Sequence, residues 1–295
     1  MKIEFSDTDE LLIWLYVFID NLFQQEELSL YTNRLSNNCF PFFTDVELFT
    51  CAIFAELMGY RSKKDGYKYI RRHYLSWFPK LPKYEVYNRK LNKFHEAFAY
   101  IFKRIRESYT YCCEAIGQID TAPIIVCQAQ HSTNSKAAQP FVSKGYCTAK
   151  KQYYIGVKLQ IISQNRKNLL PLPIDYHIET AAKHDLDIAK QTLPYSLLEK
   201  MDIYGDKAYI DNGFQLDLFE NNNLNLITPS KKKKGQPHLT LFQQACNSIH
   251  SSIRQPIDTL FAWINDKTNI ENASKVRSVE GLFCFINIRP CPKVV

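Results

Sequence analysis

No Cys-x-x-Cys pair occurs in the chain, although it holds nine cysteines, an odd number. That spacing suits neither a zinc finger nor a small disulfide framework, so free thiols in a reducing compartment are expected. Long apolar runs are missing as well. The longest, Leu11 to Ile19, is too short to cross a bilayer and ends at Asp20. The first residues turn acidic at once and do not read as a signal peptide. No internal repeat is found, and low complexity is confined to the four lysines 231–234. These absences predict a cytoplasmic protein with no membrane partner.

What the chain has is material for a core and an uneven charge. Its 295 residues are 45% hydrophobic and 14% aromatic, enough for one large domain or two modest ones. The net charge is +7, but residues 1–60 hold two basic and ten acidic side chains. Residues 61–106 reverse this, with fourteen Lys/Arg and three acids, 14 − 3 = +11. A basic block interleaved with aromatics suits a polyanion, because Lys and Arg release counterions condensed on phosphates. A solvated basic face is the alternative.

Up to about residue 110 the pattern is helical. Leu11, Leu12, Leu15, Phe18, Ile19 and Leu22 recur at three- and four-residue steps. Thr44 with Glu47 three residues on has the form of a capping box, starting a helix that runs to Met58. Further helices are expected over 64–74 and, after Pro79 and Pro82, over 85–108 as one piece. Such short helices, basic in the later members, suit a helix-turn-helix-like unit, though plain helical packing gives the same pattern.

Near Ala115 the texture changes. Strands are expected at 116–120, 151–163, 172–179, 201–204 and 224–228, and helices at 185–198, 212–220 and 240–266, the last in two pieces. That order is an α/β alternation. Asp120 and Asp206 each follow a short apolar strand at the point where it should end, so the two can converge although 86 residues apart (206 − 120). Hard divalent ions favour such oxygen ligands, although an acid at a strand end is usually just a turn former. A third acid, Asp258, follows Pro256, which suits a first helical position and would put Asp258 in the first turn. Arg254 lies four residues before Asp258, so a plain helical side-chain pair is the other reading if one helix includes both.

With these residues in view, the chain resembles the DDE insertion-sequence transposases. The resemblance rests on Asp120 in Ile-Asp-Thr-Ala-Pro-Ile, Gly145-Tyr146-Cys147 followed by Lys150-Lys151, and Tyr154 to Leu159. It continues in Thr180 to Asp185, Gly205-Asp206-Lys207-Ala208-Tyr209, and the segment from Arg254 to Phe261. Asp258 stands where the family usually has Glu, and Ser251 and Asn265 replace the usual Tyr and Lys of that segment.

The resemblance implies a fold and an activity. The fold is α/β, an RNase H-like mixed sheet flanked by helices and preceded by an all-helical domain. Residues 1–112 would form the helical DNA-binding domain and 113–285 the catalytic domain. Residues 286–295, with two prolines, would form an irregular tail of the kind a truncated copy carries. The activity would be metal-dependent strand cleavage and strand transfer at the ends of an insertion element. Asp120, Asp206 and Asp258 would bind two Mg²⁺ or Mn²⁺ ions. Lys158, Arg254, Arg71, Arg72, Arg89, Lys90, Lys231 and Lys232 are candidate DNA contacts, and His184 could orient a substrate or an acid. The partners would be double-stranded DNA, as terminal inverted repeats and target, and a homo-oligomer on that DNA, making the protein nucleoid-associated when bound. Two rivals stay open: an RNase H-like nuclease that cuts without joining, and a catalytically decayed DNA-binding protein.

Overall fold

The computed structural model describes residues 7–25, 28–32, 41–107, 113–128, 136–148, 150–196, 200–232 and 235–289. The chain divides into two compact units. One comprises residues 1–108, 136–139 and 264–295, and the other 109–135 and 140–263.

The first unit is helical. α1 (Thr8–Gln24) buries Leu12, Leu15, Ile19 and Leu22 of the expected stripe, with Leu11 and Phe18 half-buried at its margin. α2 (Asp45–Leu57) begins with the expected capping box. The Glu47 amide donates to Thr44 Oγ1 at 3.2 Å, and the Thr44 amide donates to Glu47 Oε2 at 2.6 Å. It is apolar nearly all round, with every residue from Val46 to Glu56 except Glu47 buried, as suits a helix packed against α1, α3 (Lys63–His73) and α4 (Tyr84–Lys93).

The helix expected over 85–108 is two helices, α4 and α5 (His95–Glu107), broken at Phe94. No glycine or proline marks the break. Phe94 is buried, with its ring 6.3 Å from that of Phe49, so packing sets it. The last helix of this unit (Val279–Asn287) packs on α4 and α5. Helix therefore continues two residues into the segment expected to be irregular from 286. Arg289 beyond it is 1% exposed, donates to the carbonyls of Thr268, Phe285 and Arg61, and lies over the Phe285 ring at 3.5 Å. Residues 290–295 lie outside the described residues.

The second unit is a mixed sheet with helices. Its strands are β1 (Cys113–Gln128), β2 (Ser143–Cys147), β3 (Gln152–Arg166), β4 (Leu169–Thr180), β5 (Met201–Tyr204) and β6 (Leu224–Ile227). β3 pairs antiparallel with β1 along one edge; β2 and then β4 share its other edge. β5 and β6 continue the sheet in parallel beyond β1. β1 is much longer than the strand expected at 116–120. Beyond Gln118 it borders β3 without β5, an edge where Pro123 removes no second ladder. The helices are α6 (Asp185–Thr192), α7 (Asn212–Asn222) and α8 (Leu241–Thr268), α8 leaving this unit after Trp263. α8 is one helix with Pro256 inside it, where two pieces were expected. Buried Ile257, Leu260 and Phe261 on one face hold it despite the missing proline N–H.

Candidate active site

The sheet itself brings two of the acids together. β1 and β5 run parallel, and their pairing ends with Gln118 opposite Tyr204. Asp120 and Asp206 each lie two residues past that last pair, where the strands part, close enough for the Asp206 charge to act on Asp120. The crevice past the carboxyl ends of parallel strands is the usual place for a site in such sheets. Asp120 therefore lies within a long strand, not at its end as its sequence context suggests. Gly205 makes the turn after β5 possible by close approach: a Cβ there would meet the Tyr209 ring at 3.0 Å and Ile119 at 3.2 Å. Asp206 then caps a short 3-10 turn, accepting from the Ala208 amide at 2.7 Å.

α8 supplies the rest. Gln118 is fully buried and donates to the Ile253 carbonyl at 3.0 Å, tying this turn of the helix to β1. One residue on, Arg254 reaches Asp120 and Asp258. Its Nη1 donates to Asp120 Oδ2 at 2.9 Å and its Nη2 to Asp258 Oδ2 at 2.8 Å. The Arg254 and Asp120 side chains are 24% and 22% exposed, and Asp258 is more open at 51%. Asp258 lies in the middle of a continuous helix, so the first-turn dipole argument does not apply to it. The helical pair with Arg254 is the reading that holds, and Arg254 adds a bond to an acid 134 residues away.

Burial governs the electrostatics. Desolvation pushes the Asp120 carboxyl up to about 7, helped by the charges of Asp206 and Asp258 and opposed by the Thr121 amide and Arg254. Beneath it, Tyr209 is fully buried, and its hydroxyl shares a hydrogen bond with Thr121 Oγ1 at 2.8 Å. Burial first, and then the Asp120 charge, raise the Tyr209 hydroxyl well above its ordinary value. Tyr209, Thr121 and Gln118 were not among the expected site residues. Tyr209 did fall within the motif from Gly205, but its contact with β1 has no local signal.

A match to the family model "Transposase DDE domain" over residues 111–279 covers more than half of the chain, and that span holds all three acids and Arg254. The chain belongs to the DDE transposases. No curated protein and no solved structure matches it. Domains of this family generally use divalent metal and act on DNA.

In the transposase the donor set fits a hard divalent ion in kind, being all carboxylate oxygen around a buried, crowded negative charge. The cation standing between Asp120 and Asp258 is Arg254. Among the described residues no three His, Cys, Asp or Glu side chains are grouped closely enough to hold a metal as they stand. A metal at these oxygens would have to displace the guanidinium from Asp120 and Asp258.

Lys158 is 19% exposed and donates to Asp185 Oδ1 at 2.8 Å and to the Lys183 carbonyl at 2.7 Å, fastening β3 to the start of α6. His184 is itself the N-cap of α6, its Nδ1 accepting from the Leu186 amide at 3.3 Å, while Asp185 serves Lys158. In the helical unit Arg71, Arg72 and Arg89 are exposed, whereas Lys90 is half-buried and donates to the Phe43 carbonyl at 3.4 Å. Lys231 and Lys232 are exposed, Lys232 donating to the Pro237 carbonyl at 2.9 Å. Lys233 and Lys234 lie outside the described residues. Among the described residues no helix is long and apolar enough to cross a membrane.

Proposed function

We propose that this transposase cuts DNA at the ends of an insertion element and joins those ends to a target, using Asp120, Asp206 and Asp258 on an RNase H-like core. The observation that carries the reading is Asp120 beside Asp206 past the divergence of β1 and β5, with Asp258 joined to Asp120 from α8 through Arg254. The sheet supports the RNase H-like reading, with antiparallel β4, β3 and β1 followed by parallel β5 and β6.

Asp120, Asp206 and Asp258 would hold divalent ions, two in number. When bound, the ions supply charge neutralisation at the scissile phosphate and a more acidic water or 3′-hydroxyl. The chain's own part is positioning. β1 and β5 fix Asp120 and Asp206, and Tyr209 through Thr121 holds the backbone beside Asp120. Arg254, once released from the carboxylates, has the planar fork that suits a phosphate. Asp258 is one methylene shorter than Glu, so the helix backbone must stand closer to the metal or a water must bridge.

DNA binding is assigned to the helical unit. α3 exposes Lys64, Lys68, Arg71 and Arg72 at one- and two-turn spacing while Tyr67 and Ile70 face the core. This is a basic stripe suited to phosphates. Recognition of terminal inverted repeats, and a homo-oligomer bridging two ends, belong to the same proposal.

The test is Asp120→Asn, assayed on DNA carrying the element's ends with Mg²⁺. Strand cleavage should fall by about a thousandfold or more, the scale expected when a preorganised charge partner is lost, with DNA binding retained. Equal cleavage by the variant would remove Asp120 from the chemistry. Strand-transfer products with a DNA end as donor separate this reading from a nuclease that only cuts.

A further inference from the structure

The hairpin of β2 and β3 has two unlike faces. Tyr146 lies opposite Tyr153 and Gly145 opposite Tyr154. Alternation along the strands sends Gly145, Cys147 and Tyr154 inward. Cys147 and Tyr154 form a small buried cluster with Ala181, against which Ile125 packs. Gly145 approaches Ala181 so closely that a Cβ would sit 2.8 Å from its methyl. The Ala182 amide donates to Ser143 Oγ at 2.8 Å. The inner face is thus pinned to the end of β4.

The outer face shows Tyr146 and Tyr153, 50% and 55% exposed, with ring centroids 4.9 Å apart. Lys144 Nζ stands 4.7 Å from the Tyr153 centroid. From Ser143 to Lys158 the chain has four lysines and no acid. Lys158 is tied to Asp185, while Lys144, Lys150 and Lys151 are exposed around the turn.

Phosphate contact alone needs only the lysines. Two adjacent exposed rings, tilted 56° to one another, each add a flat apolar face, which pairs best with another flat apolar surface. Base faces in a duplex are covered by their neighbours, so the fitting partner is an unpaired strand. We propose that this hairpin binds single-stranded DNA, Tyr146 and Tyr153 stacking on bases while Lys144 and Lys151 follow the phosphates. Tyr153 is eight residues along β3 from Ile161, the partner of Asp120, about 26 Å at the usual rise. The surface therefore meets a strand leading away from the cut and not the scissile bond. The inference deepens the transposase reading, on which it rests for the source of the unpaired strand.

The test uses the full chain and two labelled probes of equal length, oligo-dT and a duplex, followed by fluorescence anisotropy. Tyr146→Ala with Tyr153→Ala should weaken oligo-dT binding by roughly fivefold or more per ring, the scale of a lost base stack. Duplex affinity should change less than about twofold by the same account. The Tyr→Phe pair, which keeps both rings, should bind as the parent does, so a merely misfolded hairpin is recognised. Oligo-dT carrying 5-iodouracil should photocrosslink to Tyr146 or Tyr153. Unchanged oligo-dT affinity, an equal loss for duplex, or crosslinks only elsewhere would each overturn the proposal. A second protein chain on this face would appear as a concentration-dependent mass without DNA that the Ala pair abolishes, and would also overturn it. Cleavage by the parent and by Asp120→Asn is scored separately, so failure of the transposase reading and failure of the hairpin are told apart.

Discussion

The helical unit sets the basic stripe of α3 outside, whereas the sheet unit draws Asp120 and Arg254 inward. α3 shows Lys64, Lys68, Arg71 and Arg72 to solvent, while Asp120 is desolvated and shares Arg254 with Asp258. Exposed charges act over distance, are screened by salt and add roughly independently. Desolvated charges act on their immediate neighbours, and their protonation depends on one another. Charges of the first kind suit attraction of a polyanion; charges of the second kind suit chemistry at a fixed point.

The contrast can be broken from either side. The largest effect is expected from Arg71→Gln, Arg72→Gln and Arg89→Gln together. If all three touch phosphates, the slope of log affinity against log salt should fall by about 2.7, at about 0.9 per contact. Mn²⁺ binding to the sheet unit, followed by calorimetry, should stay unchanged. An unaltered salt slope would move the DNA contact elsewhere.

Acidification should act on the other side. Asp120 titrates near pH 7 in the folded chain and about 3.9 when unfolded. Its folded pKa is raised, so the stability it contributes to the metal-free protein is full below about 4 and is lost as pH rises through 7. Metal binding runs the opposite way, because the proton must leave. Mn²⁺ affinity should fall by about tenfold per unit below pH 7, the slope of one displaced proton. A flat profile between pH 6 and 8 would mean that Asp120 does not bind the ion.

The smallest effect concerns the cation between the acids. Arg254→Gln should raise Mn²⁺ affinity by about fivefold, the worth of a partly exposed ion pair near 1 kcal/mol. The metal-free protein should melt lower, and Mn²⁺ should restore more of that loss than it adds to the parent. Weaker Mn²⁺ binding by the variant would show that Arg254 supports the metal site and does not compete for it.

Helix starts such as Thr44 and the apolar stripe of α1 were legible because capping and periodicity are local. The break at Phe94 was not, since packing against Phe49 imposes it. The three acids could be named as candidates from strand and helix context, but that context misplaced two of them. Asp120 lies inside β1, and Asp258 within an unbroken α8. Strand β2 is not legible in the sequence, because five residues with a glycine carry little periodicity, although Gly145-Tyr146-Cys147 belongs to the motifs of the resemblance.

By itself the sequence determined the division of the chain: which stretch is basic and helical, which alternates strand and helix, and which acids are available. Composition and short-range pattern suffice there, because each property belongs to neighbouring residues. Only the tertiary structure decided that Arg254 closes on Asp120, that β1 and β5 part beside both strand acids, and that Tyr146 and Tyr153 share an exposed face. Those relations join residues separated by up to 134 positions, and pairing register and burial set them, neither of which is written in any one segment.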